Sequence, residues 1–239
     1  MPVAELHLGG VPRGAAIVLC GQDAGLADAA ELMNGLAEHG YESVAADVGR
    51  TTADGVPLTD GGLVTDVLTL LDRLAGRGWA HEQVGIVGYD LGGRAALLAA
   101  SAYVLGAAVS VNPAGVARSL GESLPPLLDS PSGVRTPWLG LFGALDSWTR
   151  PAVASRLGGA LESRSPVHTE LVVYPGVAGD FYRHSSEALA HAASFDCWQR
   201  IVEWLNLRVV PRPTPLAEAW CRRQLARRAQ PGARTCPKA

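Results

Sequence analysis

The stretch from Val84 to Leu98, Val-Gly-Ile-Val-Gly-Tyr-Asp-Leu-Gly-Gly-Arg-Ala-Ala-Leu-Leu, constrains the fold more than any other part of the chain. The apolar run ending at Val87 reads as a buried strand, and the pattern from Gly92 onward reads as a helix. Gly88-Tyr89-Asp90-Leu91-Gly92 is all that joins them. A turn this abrupt puts its central residue in a strained backbone conformation. Its neighbours must lack a Cβ so that strand and helix can approach. The outcome is one side chain, Asp90, held at the tip of a sheet beside a helix N-terminus and the Leu91 N–H.

The rest of the chain alternates in the same way. Residues 15–20, 41–47, 83–87, 107–111, 138–142 and 169–174 read as short buried strands. Helical spacing marks 27–39 (Ala30, Met33, Leu36, Ala37), 63–76 (Leu63, Val67, Leu70, Leu71, Leu74), 92–102, 151–162 and 186–207 (Phe195, Trp198, Ile201, Val202, Leu205). Six or seven strands interleaved with helices predict an α/β fold with a doubly wound, mostly parallel sheet. Ligands in such a fold sit outside the C-terminal ends of the strands. With 239 residues, 48% of them hydrophobic, one large domain can bury its core and wholesale disorder is excluded.

That domain is expected over residues 1–210. Pro211, Pro213 and Pro215 mark a stiff break, so residues 211–239 form a separate extension. A basic amphipathic helix is expected over 216–229, with Leu216, Ala219, Trp220 and Leu225 as its apolar stripe. From Arg212 onward there are seven basic residues and one acidic, against 13 basic and 22 acidic before it. The body is acidic and the tail basic.

Several function classes drop out. A net charge of −3 argues against a nucleic-acid binder. The longest apolar run, 95–111, is interrupted by Ser101, Gly106 and Ser110 and falls short of the roughly 20 apolar residues a membrane span needs. The first residues show no basic region followed by an apolar stretch. Cys20, Cys197, Cys221 and Cys236 fit neither a zinc site nor a disulfide framework, which points to thiols in a reducing cytoplasm. No metal or cofactor is expected. Arginine outnumbers lysine 19 to 1, a usage typical of a GC-rich, bacterial genome.

Gly88-Tyr89-Asp90-Leu91-Gly92-Gly93 resembles the nucleophile elbow of the α/β-hydrolase fold, and in particular that of the dienelactone hydrolase family, where the central residue is normally cysteine. Four further blocks follow in the family's order. Gly21 to Leu26 resembles the loop that supplies an oxyanion N–H, here from Asp23, and Ala45-Ala46-Asp47 resembles a strand end. Leu141 to Asp146 resembles the strand and turn that present the catalytic aspartate. Tyr174-Pro175-Gly176 with Phe181 to Ser186 resembles the histidine loop. The resemblance spans roughly residues 10–207 and implies an α/β-hydrolase fold of the dienelactone-hydrolase type.

It also exposes departures. Asp90 stands where the family has its cysteine, Gly179 where it has its histidine, and Gln22 where it has a glutamate that influences the thiol. Asp146 is kept. Arg183 matches an arginine that in the family helps to hold a substrate carboxylate. The Cys-His-Asp relay therefore cannot be assembled from the matching positions.

Three chemistries remain open. An aspartate nucleophile could form an ester that a histidine-activated water must then break, and His184 is the candidate for that task. Alternatively, Asp90 and Asp146, projecting from strand ends toward one pocket, act as acid and base without a covalent intermediate. The Asp23 and Leu91 N–H groups would then steady an enolate or alkoxide. The third is a silent small-molecule binder on a hydrolase scaffold. The expectation is a cofactor-independent acid–base enzyme for a small oxygenated, carboxylate- or lactone-bearing substrate. Isomerisation, elimination or cyclisation would each suit it, as a tailoring step in bacterial biosynthesis. Gln22, Tyr89, Trp148, Tyr182 and Arg183 are the expected substrate contacts.

Overall fold

Every residue of β2 (Gly14–Cys20) and β3 (Tyr41–Asp47) is buried in the computed structural model, as a strand covered on both faces requires. The structure describes residues 2–21, 26–48, 57–129, 133–183 and 187–229. Five more strands complete one sheet: β1 (Val3–Leu6), β4 (Val84–Tyr89), β5 (Ala107–Val111), β6 (Trp138–Gly143) and β7 (Thr169–Tyr174). Their order is β1-β3-β2-β4-β5-β6-β7, and every pairing is parallel except that of β1 with β3.

Alternate strand residues feed two cores. On one face α1 (Leu26–Glu38) and α5 (Ala188–Arg208) cover Val18, Val87, Val109 and Leu141. On the other, α2 (Asp60–Gly76), α3 (Leu91–Ala102) and α4 (Pro151–Arg164) cover Ile17, Ile86, Ala108 and Phe142. The chain winds outward from β2 to β3, then returns to β4 and continues the other way. This reversal lies between β2 and β4, and a crevice opens at the C-terminal ends of the two strands. Asp90 directly follows β4, so the topology alone puts it there.

The six parallel strands fall where the hydrophobic runs placed them, within two residues at each end. Strand β1 was not among them. Val-Ala-Glu-Leu is short and half-buried, and it is held as an edge strand by its partner β3. The apolar face assigned to α5 needs one correction: Phe195 is 62% exposed, while Cys197 and Trp204 take the buried positions. Ala30 of α1 is likewise exposed, and Ala29 is buried in its place.

The tail departs further from expectation. Helix α6 (Pro215–Ala229) forms, but Leu216, Trp220 and Leu225 are all exposed. Leu225 lies nine residues beyond Leu216, at about 100° per residue, and so on the opposite side of the helix. The expected single stripe does not exist. The chain is tethered just before this helix. Arg212 N–H donates to the Arg13 carbonyl at 2.7 Å, its Nη2 to the Gly78 carbonyl at 2.9 Å, and its guanidinium lies 3.5 Å from the Trp79 ring centre. Among the described residues no helix is long and apolar enough to cross a membrane.

Candidate active site

Asp90 has φ 51° and ψ −114°, outside the regions an L-residue ordinarily occupies. The strain is held by three backbone bonds. Asp90 N–H donates to Val111 O (3.1 Å), while its carbonyl accepts from Arg94 N–H (3.0 Å) and Ala114 N–H (2.9 Å). A Cβ at Gly88 would collide with the Gly92 carbonyl, and one at Gly92 with the Leu19 carbonyl, so both glycines are obligatory. Leu91 opens α3, and its N–H, like the next two, has no intrahelical acceptor.

Around this elbow lies a cleft of about 920 Å³. Asp90, Leu91, Asn112, Asp146, Trp148 and Arg183 are among its lining residues. Its far wall, Pro113 to Leu124, is tied to α3 by Arg94, whose side chain is fully buried. Arg94 Nε and Nη2 hold the two Asp60 carboxylate oxygens at 2.7 and 2.8 Å. Nη2 also reaches the Pro125 carbonyl at 2.6 Å, and Nη1 the Gly115 carbonyl at 3.3 Å. This fork–fork pair fixes the start of α2, the elbow helix and the cleft wall to one another.

The Asp90 carboxylate is held from the loop after β7. Tyr182 Oη donates to its Oδ2 at 2.6 Å and Arg183 Nη2 at 2.8 Å. Both donors suit a carboxylate acceptor. Burial, followed by the Asp90 charge, pushes the Tyr182 phenol above its usual pKa, so it serves as a donor and not as a base. The arginine expected to clamp a substrate anion is thus engaged with the elbow carboxylate itself.

Asp146 has a different environment. Its Oδ1 accepts from the Trp148 N–H (2.7 Å) and the Thr149 N–H, and its Oδ2 from Asn112 Nδ2 (2.9 Å). Asn112 follows β5 with φ 43°, a left-handed conformation that asparagine tolerates better than most residues. A Cβ at Gly179 would overlap Asp146 Oδ2 and Asn112 Nδ2. The ground next to the retained aspartate, where the family's histidine would stand, is therefore filled by an Asp–Asn pair.

The remaining expected residues divide. Trp148 lines the cleft, is 53% exposed and carries the Arg118 guanidinium 4.2 Å from its ring centre. Tyr89 does not line the cleft. It points to the α1–α5 side, where its ring lies 4.8 Å from that of Tyr182. Gln22, Asp23 and His184 lie outside the described residues. Cys20 and Cys197 are both buried and neither lines the cleft. Among the described residues no cluster of three metal-ligating side chains occurs.

Sequence reasoning passed over Asn112 and Arg94. The Asn-Pro step after β5 was a usable signal for a left-handed strand end. Nothing local marks Arg94, whose partners lie 21 to 34 residues away.

The dienelactone hydrolase family model matches residues 9–208. The chain belongs to the dienelactone hydrolase family. Solved structures agree on the fold. A candidate dienelactone hydrolase from Klebsiella pneumoniae superposes with a TM-score of 0.71 at 21% identity, covering 86% of this chain and 98% of that one. A thermophilic esterase from Thermogutta terrifontis, solved with propionate bound, gives 0.66 at 16% identity, covering 84% and 88%. An α/β hydrolase from the metagenome of Mar Chica lagoon sediments gives 0.62 at 18%, covering 85% and 94%. No curated protein matches the chain. Within the dienelactone hydrolase family, then, this member carries a strained Asp90 at its elbow and an Asp146–Asn112 pair beside Gly179.

Proposed function

We propose that this family member is a cofactor-independent acid–base enzyme in which Asp90 moves a proton on a small oxygenated substrate. The observation that carries the reading is the Asp90 carboxylate: it is held in strained geometry beside a helix N-terminus, with Tyr182 and Arg183 as its donors. In the forward step a substrate C–H or O–H proton passes to the Asp90 carboxylate. The negative charge left on the substrate oxygen is met by the Leu91 N–H and the positive end of α3. As Asp90 becomes neutral, the Arg183 guanidinium loses its partner there and is left to face the anion formed on the substrate. Because Arg183 is a cation at the cleft wall, a substrate with its own carboxylate or lactone carbonyl suits the site.

Asp146 takes a positioning role in this reading. With three donors already on it, it fixes Asn112 and the Trp148–Thr149 turn at the cleft wall. Isomerisation, elimination and cyclisation all fit a single proton carrier with an oxyanion site. A cytoplasmic tailoring step in bacterial biosynthesis is the setting we propose, with the small-molecule substrate as its partner.

A hydrolase with Asp90 as nucleophile is the second reading, supported by the elbow geometry itself. It requires a base for the attacking water; Gly179 supplies none, and the candidate, His184, lies outside the described residues. Intact-protein mass spectrometry after substrate addition separates the two. The acid–base enzyme shows no adduct, and Asp90→Asn lowers turnover by about 10²–10⁴-fold while keeping binding. A mass increase mapped to Asp90 establishes the covalent route. Full turnover by Asp90→Asn overturns both readings.

A further inference from the structure

A second cavity, of about 570 Å³, lies on the other side of Tyr182 and Arg183 from the cleft. It sits between α1 and α5, against the end of β4. A space this size falls among pockets that hold small ligands, about 300–1,000 Å³.

Its walls have a consistent chemistry. Tyr89, Tyr182 and Trp198 supply aromatic surface, Leu32 an aliphatic side, and Cys20 and Cys197 two thiols. Burial, with the Asp196 charge behind it, pushes the Cys197 thiol up, so this sulfur is neutral near neutral pH. Among the described residues the charged side chains at its wall are Arg183 and Glu31. Trp198 is brought close by a glycine on the facing helix: a Cβ at Gly35 would lie 2.7 Å from its Cζ2. The tilted Tyr89–Tyr182 pair completes the aromatic lining, with ring centres 4.8 Å apart.

We propose that this cavity is a binding site for a small neutral aromatic molecule, separate from the cleft and divided from it by Tyr182 and Arg183. Aromatic faces and thiols reward an apolar ring, and an ion would lose hydration against them, so a neutral ring is favoured. The dividing wall has a further consequence. Tyr182 and Arg183 are the two side chains that hold Asp90 Oδ2, so an occupant packs against the backs of both. Occupancy of the cavity is thereby coupled to the elbow carboxylate. The binding claim is independent of the reaction proposed above, and only the coupling rests on Asp90.

Fluoroindole, titrated into the full chain and followed by fluorine NMR, tests the site without any turnover. Saturable binding is expected. Ser194→Phe on α5 and Leu32→Trp on α1 fill the cavity from opposite walls, and each is expected to weaken binding at least tenfold. Thermal melts would confirm that the variants fold, and either one alone is decisive. Ala114→Phe, which narrows the cleft instead, should leave affinity within about twofold. Absence of saturable binding up to millimolar probe overturns the proposal. So does affinity lost in Ala114→Phe and kept in the cavity-filling pair. Asp90→Asn should shift probe affinity about fivefold, the lower end of ordinary coupling between sites. An unchanged affinity overturns the coupling.

Discussion

Asp90 and Asp146 both follow parallel strands and both line one cleft, yet their surroundings differ in kind. Asp146 is bound by two backbone N–H groups of its own turn and by one amide from the neighbouring strand end. Those donors belong to the scaffold, which is why the reading proposed above gives Asp146 a positioning role. Asp90 is bound by two long side chains from a loop, Tyr182 and Arg183, over a backbone that is itself strained. The contrast teaches that two aspartates at strand ends of one cleft can be held by very different partners, backbone in one case and long side chains in the other.

The sharpest way to break this contrast is turnover. Asp90→Asn should cost about 10²–10⁴-fold, whereas Asp146→Asn, which keeps its shape and one acceptor, should stay within about tenfold. Equal losses in a steady-state assay would mean that both carboxylates carry protons. Next in size is Gly179→His. Its side chain must displace Asp146 Oδ2 and Asn112 Nδ2, so a loss of about 2–4 kcal/mol is expected in urea denaturation, with no new esterase activity. Esterase activity gained on this change would show that the histidine's place is still open. Asp146→Ala leaves three donors without their acceptor and should destabilise by about 1–3 kcal/mol in the same measurement. Tyr182→Phe removes one of two donors to Asp90. A drop of up to about tenfold in kcat with little change in melting temperature is expected, on the scale of one hydrogen bond. A far larger kcat loss would make Tyr182 a proton carrier in its own right.

The smallest effect concerns alkaline pH. Burial above all pushes the Tyr89, Tyr174 and Tyr182 phenols above the ordinary value of 10.0. The folded chain keeps these protons where the unfolded chain releases them. Their contribution to stability is therefore complete below about pH 10 and declines as pH rises beyond it. Melting temperature followed from pH 9 to about 12 should fall, and Tyr182→Phe should make that fall shallower. An unchanged slope in the variant would place Tyr182 in a wetter setting than the structure gives it.

How much of this was legible in the sequence depended on distance along the chain. The elbow was legible because its glycines, aspartate and flanking patterns lie within a few residues of one another. The parallel strands were legible because burial on both faces leaves continuous apolar runs. Strand β1 was not, because the residues it pairs with, Ser43 to Ala46, lie far along the chain on β3. Asp146 was found as a strand-end residue, but the asparagine that occupies its Oδ2 is 34 positions away. Tyr182 and Arg183 were expected at the site, yet their convergence on Asp90 spans more than 90 residues. Tyr89 shows the limit in the other direction. Adjacent residues at a sharp turn face opposite ways, so the neighbour of the elbow aspartate belongs to a different cavity.

The φ of Asp90 has a consequence for sequence drift. At this point the backbone alone would prefer glycine, by about 1–3 kcal/mol. A lineage with no use for the side chain would find the fold steadier without it, and random substitution would tend to erase it. Any side chain kept there is held against the polypeptide's own inclination. Libraries selected only for thermal tolerance should accordingly empty this position early, and libraries selected for the chemistry should refill it.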